Sequence, residues 1–375
     1  MSAQSNRSQR LQYIDVLRIF AVLWLIPFHT ARIYDIWEPN YIKSPTLSIW
    51  LTVLIGLSGP WHMPLFFLLA GASTWLALGF RDKREYLKER VNRLLIPLIL
   101  CGLILIPILP YLALLDHGIA PASYLSFLKT YYLIDPDDLT GYFGTFTPSH
   151  LWFILYLFVF SVITIPLFYT LHSESNFGKK LRDKLATFFG RPGFIFLFII
   201  PLSITDLLPD LGGKNPFYYV TIYMMGFLIM SDERYMRSII SQKKFAAITA
   251  IPSLIVLIWL WFTNINLEGV SLMTISYSLF HHYVGWALLI AILGYGKEYL
   301  NKPYPWLKYA SDIAFPFYIV HQVVIGIVGY FIIRWIPSVD LSFIIICTIS
   351  FLLSLGFCEV VKLNNLSRFA FGMKN

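Results

Sequence analysis

Four ionisable residues stand in the first apolar stretch of the chain: Asp15, Arg18, His29 and Arg32. Ionisable groups in lipid are costly, usually face a bundle interior, and mark proton or substrate pathways. Arg18 and His29 are eleven residues apart. On a helix that separation is about 20° past three full turns and about 16 Å along the axis. The spacing predicts one face with a fixed cation toward one side of a membrane and an imidazole toward the other. A neutral imidazole is a base near pH 7 and can take a hydroxyl proton. Asp15 lies one turn before Arg18, where it can pair with it. Pro27 removes a backbone hydrogen bond just before His29. The plainer reading is an interfacial Asp15–Arg18 ion pair and a headgroup-level His29.

A second group is Arg90-Val91-Asn92-Arg93, expected where the third apolar segment opens. Two arginines three apart at a helix N-terminus suit a phosphorylated ligand; they also suit charge anchoring at a membrane face. His321, with Tyr318 one turn earlier, falls near the middle of a late apolar segment and reads equally as a catalytic or a buried structural histidine. His62 either lines a site or faces solvent. His281 and His282 point to two helix faces, so at most one is expected at a site. His150, beside Trp152, and Glu359 read as structural. No metal is expected, because no HExxH or other helical ligand set appears. Walker, GxGxxG and GxSxG motifs are absent too. Cys101, Cys347 and Cys358 lie far apart in apolar runs and read as core hydrophobes.

These residues need elements to hold them. Apolar runs long enough to cross a bilayer are expected near 12–34, 48–79, 94–115, 150–171, 193–208, 217–231, 245–263, 271–294, 309–333 and 341–361. The fifth and sixth are short. The sequence therefore predicts an all-α polytopic membrane bundle of about ten transmembrane helices, forming a single integral membrane domain over 1–375. With the N-terminus inside, the inner segments hold most of the 29 Lys and Arg, from Arg7 and Arg10 to Lys374. The outer loops hold only Lys43, Lys129, Lys214 and Arg334. That asymmetry predicts both termini in the cytoplasm. Asp15 and Arg18 interrupt the first run, and no small-residue cleavage site follows, so it reads as an uncleaved span. The inner 172–192 stretch reads as a plain charged loop. The outer 116–149 stretch, rich in Tyr, Phe and Asp, reads as a sugar-binding surface or as an aromatic belt. No internal repeat is visible.

Composition agrees. The chain is 57% hydrophobic and 13% charged, with a mean hydropathy of +0.65; soluble domains carry about 25% charged residues. This excludes a soluble cytosolic enzyme, a disordered chain, a coiled coil and a nucleic-acid binder. The net charge of +8 reads as loops held against anionic lipid.

The phrase Tyr13-Ile14-Asp15-Val16-Leu17-Arg18 leading to His29 resembles the signature of the acyltransferase 3 family of integral membrane acyltransferases: a basic residue, ten residues, then His. Arg90-Val91-Asn92-Arg93 is similar to that family's Arg-x-x-Arg. Pro64-Leu65-Phe66-Phe67-Leu68-Leu69-Ala70-Gly71 and Leu151-Trp152-Phe153 resemble its second and fourth spans. Leu293-Gly294-Tyr295-Gly296 and Phe315-Pro316-Phe317-Tyr318-Ile319-Val320-His321-Gln322 look most like the branch containing glucan biosynthesis protein C.

The resemblance covers the full length. It implies transfer of an acyl group, of the acetyl or succinyl class, from cytosolic acyl-CoA to a hydroxyl of an extracytoplasmic glycan or similar acceptor. It implies His29 as the base, with Arg18 and Asp15 beside it. Arg90, Arg93 and Arg18 would hold acyl-CoA, and His62, Trp152, Tyr318 and His321 the acceptor. The expected location is the plasma membrane, multi-pass. The rival class is a transporter or exporter using Asp15, Arg18 and His29 as a relay. Neither reading fixes an oligomeric state.

Overall fold

The apolar runs become helices. The computed structural model describes residues 11–37, 39–173, 175–263 and 271–373. Arg7, Arg10 and Lys374 lie outside them. In chain order the helices are α1 (Gln12–Ala31), α2 (Ile49–Ser58), α3 (His62–Leu78), α4 (Lys83–Arg90), α5 (Ile96–Ile104), α6 (Ile108–Asp116), α7 (Tyr124–Tyr131), α8 (Trp152–Ile163) and α9 (Ile165–His172). They continue with α10 (Asn176–Phe189), α11 (Ile199–Asp206), α12 (Pro216–Ser231), α13 (Glu233–Phe262), α14 (Leu272–Tyr299), α15 (Leu307–Trp335), α16 (Val339–Lys362) and α17 (Asn365–Ala370). No strand appears among the described residues.

Among them, seven helices or helical runs are long and apolar enough to cross a membrane, or nine if each of two broken pairs is one span. Every expected apolar segment has a helical counterpart, and the two short ones differ from a plain span. The fifth is one arm of a pair, α10 with 194–206, bent by 115°. The break is Arg191-Pro192-Gly193, where Gly193 takes φ +80°, a backbone that side chains with a Cβ avoid. The sixth, α12, has only 16 residues. The expected charged loop is instead the amphipathic helix α10. Ser175 caps it by accepting from Gly178 N at 3.2 Å, and it presents Lys179, Lys180 and Lys184 outward while burying Ala186.

The chain forms two compact units. The first comprises 1–21, 56–87 and 160–307. In it α3 and α12 meet through glycines. A Cβ on Gly71 would lie 1.9 Å from Tyr223 O, and one on Gly226 would lie 1.9 Å from Leu68 O. Backbones come this close only where no side chain intervenes. Thr74 bonds Tyr223 across the seam at 2.8 Å. Helices α13 and α14 pair along their length, with Tyr283 donating to Thr249 at 2.5 Å. Asp232 caps α13, and Arg234 joins it to Asp183 of α10 at 2.8 Å.

The second unit comprises 22–55, 88–159 and 308–375. Tyr34 donates to Ser342 of α16 at 2.6 Å, and Gly326 of α15 accommodates Leu109 of α6. The 116–149 stretch is bonded within itself and to its neighbours, with Tyr41 donating to Thr140 O at 2.8 Å. Asp138 is 4% exposed, and its carboxylate accepts from Thr140, Phe143 N and Thr145. Tyr111, Tyr124, Phe127 and Tyr131 pack ring against ring, edge-on or tilted. Burial raises the Tyr124 and Tyr131 phenols above the ordinary tyrosine value. Asp138 and these rings are engaged within the loop and with α6.

Candidate active site

In the first unit, Asp15 and Arg18 form the expected pair. Arg18 Nη1 lies 2.9 Å from Asp15 Oδ1, and Nη2 donates to Ser73 Oγ of α3 at 2.7 Å. Ser73 in turn donates to Leu69 O at 2.7 Å. Two anchors thus fix the guanidinium, and Ser73 is a partner that spacing alone does not reveal. His62 is 2% exposed. Its Nε2 donates to Ala21 O at 2.8 Å, and its ring packs against Phe66. That arrangement ties α3 to α1, so His62 faces neither solvent nor an open site.

His29 belongs to the second unit, near the end of α1, and is half-buried. Its ring centroid lies 5.2 Å from that of His321 on α15. His321 in turn lies 5.1 Å from His150. His321 is fully buried and His150 is 6% exposed. The sequence reading set His150 aside as structural; here it joins His29 and His321 in one cluster.

Backbone carbonyls fix the ring protons. A carbonyl can only accept, so the nitrogen facing it carries hydrogen. His321 Nδ1 donates to Tyr318 O at 2.6 Å, which leaves Nε2 as the lone-pair nitrogen of the neutral ring. His150 Nε2 donates to Ile319 O at 2.8 Å, which leaves Nδ1 as its lone-pair nitrogen. Tyr318 OH donates to His150 O. Ser149, just before His150, has φ +48°. A non-glycine residue there costs about 1–2 kcal/mol, and Thr147 Oγ1 holds it by accepting from Ser149 N at 2.9 Å. Trp152 opens α8, with its ring edge-on to Tyr156 at 5.3 Å.

Arg32 lies beyond the end of α1, paired with Asp35 at 2.9 Å. It supports the turn after the helix.

Arg90 and Arg93 do not open a helix. The helix begins at Lys83, where Asp82 Oδ1 accepts from Glu85 N at 2.8 Å. The arginines follow, around a π turn at Val91–Leu95. Pro97 has no N–H to give Arg93 O, and the ladder widens just before it. Both arginines approach Glu89, at 3.8 and 3.5 Å. Arg93 Nε also donates to Gly372 O at 3.2 Å. What they offer an anion is guanidinium charge.

The cluster offers His29 as a candidate base, with a second imidazole of fixed tautomer against it. Such an arrangement can orient the base and stabilise it when protonated.

Comparison with known proteins bears on the same residues. A family model described as an acyltransferase domain matches residues 11–360. Glucans biosynthesis protein C of Escherichia coli strain K12 is 25% identical over 236 residues, 60% of this chain and 57% of that protein. The protein of that name from Escherichia coli O157:H7 is 24% identical over 234 residues, with the same coverage. The match thus spans 57% of the length of these curated relatives. They belong to the branch that the 293–296 and 315–322 phrases resemble. No solved structure matches. With its family match running from the start of α1 to near the end of α16, the chain belongs to the acyltransferase 3 family of membrane acyltransferases.

Proposed function

We propose that this multi-pass protein is an O-acyltransferase of the plasma membrane, with both termini cytoplasmic. It moves an acyl group of the acetyl or succinyl class from cytosolic acyl-CoA to a hydroxyl of an extracytoplasmic glycan. The observation that carries this reading is His29 against His321, whose own tautomer is set by Tyr318 O.

The acceptor oxygen attacks the thioester carbonyl while His29 takes its proton. The C–O bond forms and the C–S bond breaks. The coenzyme leaves as thiolate and recovers the proton from the His29 imidazolium. His321 presents the Nε2 lone pair, which can take a hydrogen bond from His29, fix its tautomer and stabilise the imidazolium. It is a positioning residue, and His150 buttresses it. Arg18, held by Asp15 and Ser73, is assigned to the pantetheine or acyl carbonyl. Arg90 and Arg93 are assigned to the coenzyme phosphates, where forked guanidinium contacts are favoured. Tyr318 and Trp152 remain candidates for the acceptor side.

The test is transfer by purified protein in liposomes, from labelled acetyl- or succinyl-CoA on one face to a glycan enclosed on the other. The proposal expects coenzyme-dependent label on the glycan. Movement of solute without coenzyme, and no labelled ester, would establish the transporter class instead.

A further inference from the structure

The first unit holds a cavity of about 320 Å³ that shares no lining residue with the groups above. Its polar lining is Asp206, Asp210, Asn215, Tyr218, Tyr219, His281 and His282. Both adjacent histidines line it, although one helix was expected to turn them to different faces. On the orientation that the loop charges predict, the 207–215 loop at this cavity lies on the extracytoplasmic side.

Two acceptors face each other in this cavity. His282 is 3% exposed, and its Nδ1 donates to Ser278 O at 2.7 Å. In the neutral ring Nε2 is therefore a lone pair. It faces Asp206 Oδ2 at 3.4 Å, another acceptor. That gap is longer than a charge-assisted hydrogen bond, about 2.7–2.9 Å. With the ring neutral and Asp206 ionised, both atoms are open to donors from a ligand. Asp210 adds a further carboxylate, one oxygen of which accepts from Gly213 N at 3.2 Å.

The wall is rigid before any ligand arrives. Asn215 Nδ2 donates to Thr205, Asp206 and Leu208 carbonyls at 3.1, 3.1 and 2.8 Å. Its Oδ1 accepts from Phe217 and Tyr218 N. Asn215 is thus spent on the loop, and the site is preorganised. The Tyr218 ring lies 5.3 Å from that of His282, and Tyr219 stands edge-on to Tyr218. Among the described residues, no three His, Cys, Asp or Glu groups are arranged to hold a metal ion.

We propose that this cavity binds a saccharide ring. Two hydroxyls on neighbouring ring carbons donate to Asp206 Oδ2 and His282 Nε2. Asp210 takes a third hydroxyl, and the tyrosine rings cover the apolar sugar face. The volume falls at the small end of ligand pockets, suited to a single ring. A bare ammonium would satisfy the carboxylates yet leave most of the volume unfilled.

Binding is measured with no acyl donor present, so its failure and the failure of the transfer reading are separate results. Purified protein in nanodiscs, free of sugar detergents, is titrated with glucose, maltose and ethanolamine and followed by thermal shift. The proposal expects saturable stabilisation by a sugar and none by ethanolamine. Asp206→Asn and His282→Phe should each weaken sugar binding about tenfold or more. Asp210→Asn, at an exposed position, should weaken it too and guards against misfolding in the others. Ethanolamine binding in place of sugar, no response to either sugar, or sugar binding unchanged in Asp210→Asn and Asp206→Asn overturns the proposal.

Discussion

Gly226→Ala tests the seam that positions Arg18. A Cβ there would sit 1.9 Å from Leu68 O, whereas ordinary contact begins at 3.4 Å. Helix α3 must retreat from α12 by about 1.5 Å, because neither atom is the free end of a flexible side chain. A gap of even 0.5–1 Å forfeits roughly a quarter to a half of a dispersion contact. The Thr74–Tyr223 bond, 2.8 Å across the same seam, is stretched as well, at about 1 kcal/mol. Overpacking adds about 1–3 kcal/mol, so the total is about 2–4 kcal/mol. The displaced helix carries Ser73, which anchors Arg18, so activity should fall with stability. Thermal unfolding of the purified protein reads the first effect and acyl transfer the second. Gly356→Ala is the control: a Cβ there meets nothing within 4 Å, and alanine is the better helix former. A Gly226→Ala protein as stable as wild type would refute the reasoning.

Arg90→Ala should raise the acyl-CoA concentration for half-maximal heat protection about tenfold or more, and Glu89→Gln, which removes the carboxylate charge that both arginines approach, should lower it. His321→Ala should lower kcat about 10- to 100-fold with KM for acyl-CoA unchanged; a KM effect alone would remove the positioning role. The Arg234 guanidinium, hydrogen-bonded to Asp232, holds that carboxyl below its ordinary value of 3.8. A depressed folded value contributes stability above pH 3.8 and loses it as pH falls through the folded value. Asp232→Ala should cost about 0.5–2 kcal/mol at pH 7, with the difference from wild type closing in acid, as unfolding at pH 7 and pH 3 will show.

The sequence carried the spans because lipid leaves few options. Each apolar run had to become a helix, and Asp15–Arg18 followed from the period of α1. What escaped depends on where a segment distant in sequence places a backbone carbonyl. Ile319 O fixes the proton of His150, and Ala21 O consumes His62. No spacing rule reports such contacts. Asp138 reads like a ligand residue until its loop closes around it. Pro97 was a legible cue for the π turn beside Arg93, since a proline strands the carbonyl four residues before it.

The central claim is that His29 is the base. The most direct measurement is the rate of acyl transfer from labelled acyl-CoA by His29→Ala protein that unfolds at the wild-type temperature. The account predicts a loss of about 10²–10⁴-fold with heat protection by acyl-CoA retained. Transfer at the wild-type rate would contradict it.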